Sequence, residues 1–249
     1  MEFHIFPFDE VTSTNDVAMS GADLYGHGSI LTARRQTAGR GQRGNRWCSA
    51  PGENLMFSLV VEPVHILVEH QFRISEMAAM AASDAVRAIT NGRVVCRVKW
   101  PNDLYVNDKK IGGILIEHSL HSEYLSRSVI GIGINVRQRD FDPALPNPTS
   151  VANELSVTNP VPAPDEVLTA FCNAFATRYT QNEDFLHADF MGRLWRGDPS
   201  RGYPYRDAAS GEVFEAFLAG VDRHSGELTL RLADGSERRY WFKEVEAIF

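Results

Sequence analysis

Residues 98–117 read VKWPNDLYVNDKKIGGILIE. An apolar run ends at Lys99, and Pro101 restricts Trp100 to extended geometry while lacking a backbone donor. A strand therefore stops here with Lys99 at its rim. A lysine in that place is a point charge suited to a carboxylate and a phosphate together; a lone lysine at a strand end is otherwise a surface residue. Asp103–Val106 and Ile111–Glu117 read as extended, and Asn107-Asp108 between them suggests a tight hairpin. Gly112-Gly113 inside the second strand implies close approach by another backbone or a ligand. Downstream, Gly131-Ile132-Gly133-Ile134-Asn135 repeats the logic. Two glycines on one strand face leave a trough, and Asn135 can offer a donor and an acceptor to a ring such as adenine. Either glycine strand alone fits packing as well as a site.

Upstream, His4–Phe8 lies in a short aromatic strand, and Thr12-Ser13-Thr14-Asn15-Asp16 before VAMSGADLYG reads as a helix N-terminus. Ser29–Arg35 and Asn54–Glu62 read as strands, the second buried by its nearly continuous apolar character. Residues 70–90 have helical spacing with many alanines, and Ser128–Val136 is another apolar strand. Residues 142–164 hold six of the twelve prolines and read as a loop-rich connection. Asp165–Tyr179 reads as an amphipathic helix with acids at its start, where the dipole favours them. Strands and helices mix without clean βαβ alternation, which predicts an α+β fold. After Glu212 the pattern turns to short strands: Leu228, Leu230 and Leu232 alternate with polar residues, and Asp234-Gly235 is a hairpin signal. The expected division is a main domain of residues 1–197 and a small all-β barrel of residues 198–249.

The chain has 249 residues and a net charge of −7, which counts against a whole-protein nucleic-acid binder. No stretch approaches the roughly 18 continuous apolar residues of a membrane span, and MEFHIFPF lacks the features of a signal peptide. Three widely spaced cysteines, without a CxxC pair, suggest free thiols in a reducing cytoplasm. His118 and His121 lie near Glu117 and Glu123, but their place at a strand end and hairpin reads as a solvated turn rather than a metal site.

The average charge hides a contrast. Residues 32–47, TARRQTAGRGQRGNRW, carry five arginines and no acid, so this window is +5 and the rest of the chain −12. Gly39, Gly41 and Gly44 fit GxGxxG literally, but Pro51 and Gly52 follow where a dinucleotide fingerprint needs a helix. No GxxxxGK[ST] occurs, which excludes a P-loop. An RG-type nucleic-acid segment is weak in an acidic chain. A solvated loop and an ordered phosphate clamp remain, the latter with arginine forks for an anion and Trp47 to stack on a base. Glycine content and like-charge repulsion suggest that the loop is mobile when empty.

TSTND, QTAGRGQRGNRW, KWPNDLYVNDKKIGGILIE and GIGINV, in this order and spacing, resemble the motifs of biotin protein ligases. The likeness extends to the small C-terminal barrel. It implies a mixed β-sheet catalytic domain flanked by helices, with a C-terminal SH3-like β-barrel. It also implies that ATP and biotin form biotinyl-5′-AMP and pyrophosphate, and that a lysine of a biotin carboxyl carrier protein then takes the biotin. A lipoate or octanoyl ligase or transferase shares the fold and is the alternative. No protein nucleophile is needed, so catalysis would rest on positioning and charge neutralisation.

By the family pattern, Ser13, Thr14 and Asn15 would hold the ureido end of biotin, with Gln36 opposite. Gly39 and Arg40 would contact biotin through the backbone, and Gly112 and Gly113 would open the pocket floor. Lys99 would bridge the biotin carboxylate and the α-phosphate, with Arg40 as a second catalytic group that also meets ATP. Trp47 and Asn135 would hold adenine, and Arg43 and Arg46 the triphosphate. Mg²⁺ would accompany ATP, with no ligands assignable. Gln42 and Asn45 stand where some members carry arginine, which leaves adenylate retention open. Some relatives carry an N-terminal DNA-binding domain; TSTND begins at residue 12, so no operator binding is expected. The remaining expectations are a monomer or homodimer, no DNA and no membrane partner.

Overall fold

Strands β1 (His4–Val11) and β2 (Ser29–Gln36) run parallel, joined through helix α1 (Thr14–Ser20). The computed structural model describes residues 1–249, the side chain of Arg43 excepted. Strand β3 (Leu55–Val61) is buried at every position. Helix α2 (Phe72–Ile89) leads to β4 (Arg97–Lys99), β5 (Asp103–Val106), β6 (Lys109–His121) and β7 (Tyr124–Ile134). Asn107, between β5 and β6, takes a positive φ of 53°, as the hairpin reading requires. The seven strands form one mixed sheet in the order β1-β2-β3-β7-β6-β5-β4, antiparallel except for β1 with β2.

The period-two alternation of strands divides their side chains between two cores. Leu31, Val60 and Val129 point to the α1 face, where they pack with Ala18. Ile30, Leu59 and Ile130 point to the main core. That second face is covered by α2 and by helix α4 (Pro164–Tyr179), which follows the short helix α3 (Val151–Glu154). Phe57 of β3 meets Phe171 of α4 edge to face, with ring centroids 4.9 Å apart.

Helix α5 (Glu183–Gly192) is an element the sequence reading passes over. Asn182 caps it by accepting from the backbone N–H groups of Asp184 and Phe185, and Glu183 and Asp184 open its first turn. Those three residues were its available signal. Asp84 of α2 ties the last two helices together, accepting from Arg178 and Arg193.

The C-terminal residues form β8 (Tyr203–Asp207), β9 (Val213–Val221), β10 (Leu228–Arg231), β11 (Glu237–Tyr240) and β12 (Val245–Ala247). They make a five-stranded antiparallel sheet in the order β11-β10-β9-β8-β12. The expected small β unit is present, but its barrel is not closed by hydrogen bonds: the three-residue β12 pairs with β8 alone, and no ladder joins it to β11. This sheet docks on the first through specific contacts. Trp100 Nε1 donates to the Gly226 carbonyl at 2.8 Å, and Arg196 donates to the Ile248 carbonyl at 2.8 Å. Gly226 has a positive φ, and a Cβ there would stand 2.4 Å from the Phe72 ring.

Glu76 of α2 is almost fully buried, and burial pushes its carboxyl up to about 8 from the ordinary 4.5. Protonated, it donates to His187 Nδ1 of α5 at 2.6 Å, and burial keeps that imidazole neutral. A carboxyl raised above its unfolded value stabilises the fold fully below the unfolded pKa and loses that contribution as pH rises through the folded one. His187 is neutral in both states above about pH 7, so Glu76 governs that window. Chemical denaturation should show stability falling between about pH 7 and 9, and Glu76→Gln should flatten the fall while keeping a donor to His187.

Candidate active site

The parallel pairing sets Val11 opposite Gln36, so β1 and β2 end side by side. The turn into α1 therefore delivers Ser13, Thr14 and Asn15 beside Gln36. All three are buried although polar. Gln36 Oε1 accepts from the Thr14 N–H at 2.7 Å and from the Thr14 hydroxyl at 3.3 Å. Ser58 Oγ of β3 lies 2.7 Å from Thr14 Oγ1 and 2.6 Å from Asn15 Oδ1. Asn15 Nδ2 reaches β6, donating to the Leu115 carbonyl at 3.2 Å and to Glu117 Oε2 at 2.8 Å. Ser13 stands at the N-cap position of α1, yet its side chain makes no capping bond. Ser13, Thr14, Asn15 and Gln36 of this network line one part of a cleft of about 460 Å³.

The cleft runs along the α1 face of the sheet, where glycines remove the side chains. Gly131 and Gly133 share the face of Val129, and Gly113 is the cross-strand partner of Gly133. Each glycine is covered by a polar or aromatic group. A Cβ on Gly131 would stand 2.2 Å from Asn15 Oδ1, and one on Gly133 would stand 2.4 Å from the Trp47 indole. Above Gly113 lie Lys110 Nζ and Asp103 Oδ1, paired at 2.6 Å. The Trp47 indole thus fills the trough, with Lys110 Nζ 5.9 Å from its ring centroid. Its Nε1 is buried with no hydrogen-bond partner among the described residues.

Lys99 lines the same cleft. Burial pushes its ammonium below the ordinary 10.5, with Asp103 pulling the other way. Its Nζ stands 5.4 Å from the Tyr105 ring centroid, and among the described residues it has no ion-pair partner. Arg46 is exposed on the cleft wall. Arg40 also lines the cleft, but its guanidinium contacts Asp16 at 2.6 Å and Glu117 at 2.7 Å. The hydrogen bond that Arg40 donates to Glu117 holds its pKa above the ordinary arginine value. The side chain of Arg43 lies outside the described residues.

Three expected site residues do not line the cleft. Asn135 is buried and donates to the Thr149 carbonyl at 2.9 Å, bracing the chain before α3 rather than facing the cleft. Gly112 packs against backbone: its Cβ would stand 2.8 Å from the Gly133 carbonyl oxygen. Gly39 serves a tight loop, where a Cβ would stand 2.5 Å from the Trp47 carbonyl oxygen. His118 is half-buried and bonded to Ser128 Oγ at 2.8 Å, not set in a solvated turn. Among the described residues no group of three or more His, Cys, Asp or Glu could hold a metal ion.

Sequence reading missed Lys110 and Asp103, and it missed the wall supplied by the second sheet. That wall includes Tyr205, Leu218, Lys243 and Glu246. Lys243 Nζ reaches the Gln42 carbonyl at 3.5 Å and so meets the loop across the cleft. The signal for Lys110 was the lysine pair after the hairpin. Nothing in residues 203–247 signalled a cleft wall.

A profile of the biotin/lipoate A/B protein ligase family matches residues 5–135. A biotin–[acetyl-CoA-carboxylase] ligase of Paracoccus denitrificans is 30% identical over 224 residues, covering 88% of this chain and 90% of that protein. The bifunctional ligase/repressor BirA of Bacillus spizizenii is 33% identical over 140 residues; the match covers 56% of this chain and 42% of that relative, less than half its length. Among solved structures, biotin protein ligase of Aquifex aeolicus in complex with biotin and ATP superposes with a TM-score of 0.77 at 23% identity over 98% of both chains. Biotin protein ligase of Leishmania major in complex with biotinyl-5-AMP gives 0.67 at 26% identity, covering 96% of this chain and 99% of that one.

The contact between Gly133 and Trp47 is testable alone. Gly133→Ala should expel the indole from the trough, seen as a red shift and faster quenching of tryptophan emission that disappear in a Trp47→Phe background. Unchanged emission would place Trp47 elsewhere.

Proposed function

This chain belongs to the biotin/lipoate A/B protein ligase family, and from that premise we propose that it is a biotin protein ligase. It activates biotin with ATP to biotinyl-5′-AMP and passes the biotin to a lysine of a biotin carboxyl carrier protein. The observation that carries this reading is the layout of the cleft. The uncharged side chains of Thr14, Asn15 and Gln36 gather at one end of the cleft with Asn15 over Gly131, Trp47 covers Gly133, and Lys110 stands over Gly113, with Lys99 lining the same cleft. A polar, uncharged head group and a carboxylate on a short chain fit that layout.

In the first step a biotin carboxylate oxygen bonds to the α-phosphorus, and the bond from that phosphorus to the bridging oxygen of pyrophosphate breaks. In the second, the acceptor amine attacks the acyl carbon and AMP leaves with the carboxylate oxygen. Two anions must meet, so charge neutralisation at their junction governs the rate. Lys99 carries that charge, and the structure adds Lys110. Asp103 aims the Lys110 ammonium over the glycine floor, whereas Lys99 stands nearer Tyr105 and Glu246. Thr14, Asn15 and Gln36 orient the head group, and Trp47 and Arg46 attend the nucleotide. Magnesium is held by one or two carboxylates and substrate phosphates rather than by a protein cage. Asp103 is already paired with Lys110, so a magnesium ion would be held chiefly by the substrate phosphates, where it would supply further charge neutralisation.

The division of the chain near residue 197, with the catalytic unit before it, is part of the same proposal. So is a cytoplasmic setting, which the three widely spaced cysteines without a CxxC pair support.

Incubation with ATP, magnesium, a carrier domain and either biotin or lipoate tests the reading. Biotin should be transferred, and biotin-dependent ATP–pyrophosphate exchange should appear; acylation by lipoate alone overturns it. Lys99→Ala and Lys110→Ala should each lower adenylate formation by about 10²–10³-fold, the scale of one lost transition-state charge contact. Normal exchange in either variant removes that lysine from the mechanism. Because burial lowers the Lys99 pKa, the alkaline limb of the activity profile should fall below the ordinary lysine value, and Lys99→Arg should move it to higher pH.

A further inference from the structure

The cleft's most charged segment does not spend its charge where the sequence suggests. Residues 39–47 form a small closed loop: the Trp47 N–H donates to the Gly39 carbonyl at 3.0 Å, the Gly41 N–H donates to the Asn45 carbonyl at 2.7 Å, and Arg40 bridges to Arg46. At the base of this loop Arg40 Nη2 meets two carboxylates from different elements, Asp16 in the first turn of α1 and Glu117 on β6. Glu117 also accepts from Asn15, whose amide oxygen accepts from Ser58. One continuous network thus joins the neutral head-group residues to the loop that carries Trp47.

We propose that Arg40 is a positioning residue, and that Asp16 and Glu117 hold it as a strut fixing residues 39–47 over the glycine trough. Its charge is shared between two carboxylates that tie it to α1 and β6, so phosphate neutralisation falls first to Lys99, which has no ion-pair partner among the described residues, and to the exposed Arg46. The strut sets the place of Trp47, because the loop pins Trp47 to Gly39 on one side and Arg40 to α1 and β6 on the other. It also bears on Gln42 and Asn45. A loop with fewer arginines is held over its ligand by acids outside it, and from across the cleft Lys243 meets the Gln42 carbonyl. The proposal rests on the biotin ligase reading only for its kinetic consequences.

The test uses the full chain with Asp16→Asn, Glu117→Gln and the double substitution. Three quantities are followed: tryptic cleavage at Arg40, Arg43 and Arg46, dissociation of bound biotinyl-adenylate, and the KM and kcat of adenylate formation. The double variant should be cut about tenfold faster within the loop and release adenylate about tenfold faster, with KM rising and kcat little changed. Asp16→Glu, which keeps the charge, should restore slow cleavage and slow release. Unchanged cleavage and release in the double variant overturns the strut. A fall in kcat with unchanged cleavage also overturns it and returns Arg40 to the phosphate. If the double variant does not fold, the single variants decide by the same criteria. If the unsubstituted protein makes no adenylate, the ligase reading fails, and the cleavage rates still decide the strut.

Discussion

The register of β7 against β6 and β3 is the constraint on which the cleft depends. Strand residues alternate faces, so Val129, Gly131 and Gly133 share one face while Ile130, Ile132 and Ile134 share the other. The isoleucines complete the core under α2 and α4, and the glycines empty the opposite face along a line. A slip of one residue would put glycines into the core and isoleucines into the trough, losing both at once. The burial of β3 and the packing of Phe57 on Phe171 resist that slip. Stability of the core and shape of the cleft are therefore one property of the same strand.

The second constraint is electrostatic. Counted along the chain, residues 32–47 are uniformly basic. In space, acids remote in sequence return to them: Glu10 meets Arg35 at 2.7 Å, and Asp16 and Glu117 meet Arg40. Exposed pairs of this kind contribute about 0–1 kcal/mol each, so they do not hold the fold together. Their effect is to choose which positive groups stay available to a ligand. Lys99, partly desolvated and without a direct ion pair among the described residues, is more consequential than its single charge in the sequence suggests.

Much of this was legible in the sequence because the determinants are local. Apolar runs bounded by turn residues located β2, β3 and β7, and Asn107-Asp108 located the hairpin. The turn Thr12–Asp16 gave the start of α1, whereas Gln36 was placed opposite it only through the family resemblance; the parallel register of β1 and β2 is what brings the two together. What was not legible depends on distant packing. The side chain of Asn135 turns to Thr149, a choice made by the connection into α3. The wall from Tyr205 to Glu246 exists because Gly226 lets the second sheet approach Phe72 and Trp100. Helix α5 has a weakly amphipathic sequence, and its place is set by Asp84 on another helix.

Trp47 shows how packing and binding share residues here. Its indole lies where Gly133 leaves space, so that glycine is required whether or not a ligand is bound. Yet the indole Nε1 is buried without a partner among the described residues, a condition that costs about 1–3 kcal/mol for a desolvated donor. A wholly structural tryptophan would be oriented to satisfy that donor, as Trp100 and Trp195 are through Gly226 and Asp108. The trough therefore holds Trp47 in a position that packing against Gly133 dictates and hydrogen bonding leaves incomplete. The loop that carries Trp47 is fixed at its base by Arg40 and bounded by Lys99 and Lys110. The indole and the cationic end of the cleft are thereby held close together, with Lys110 Nζ 5.9 Å from the Trp47 ring centroid.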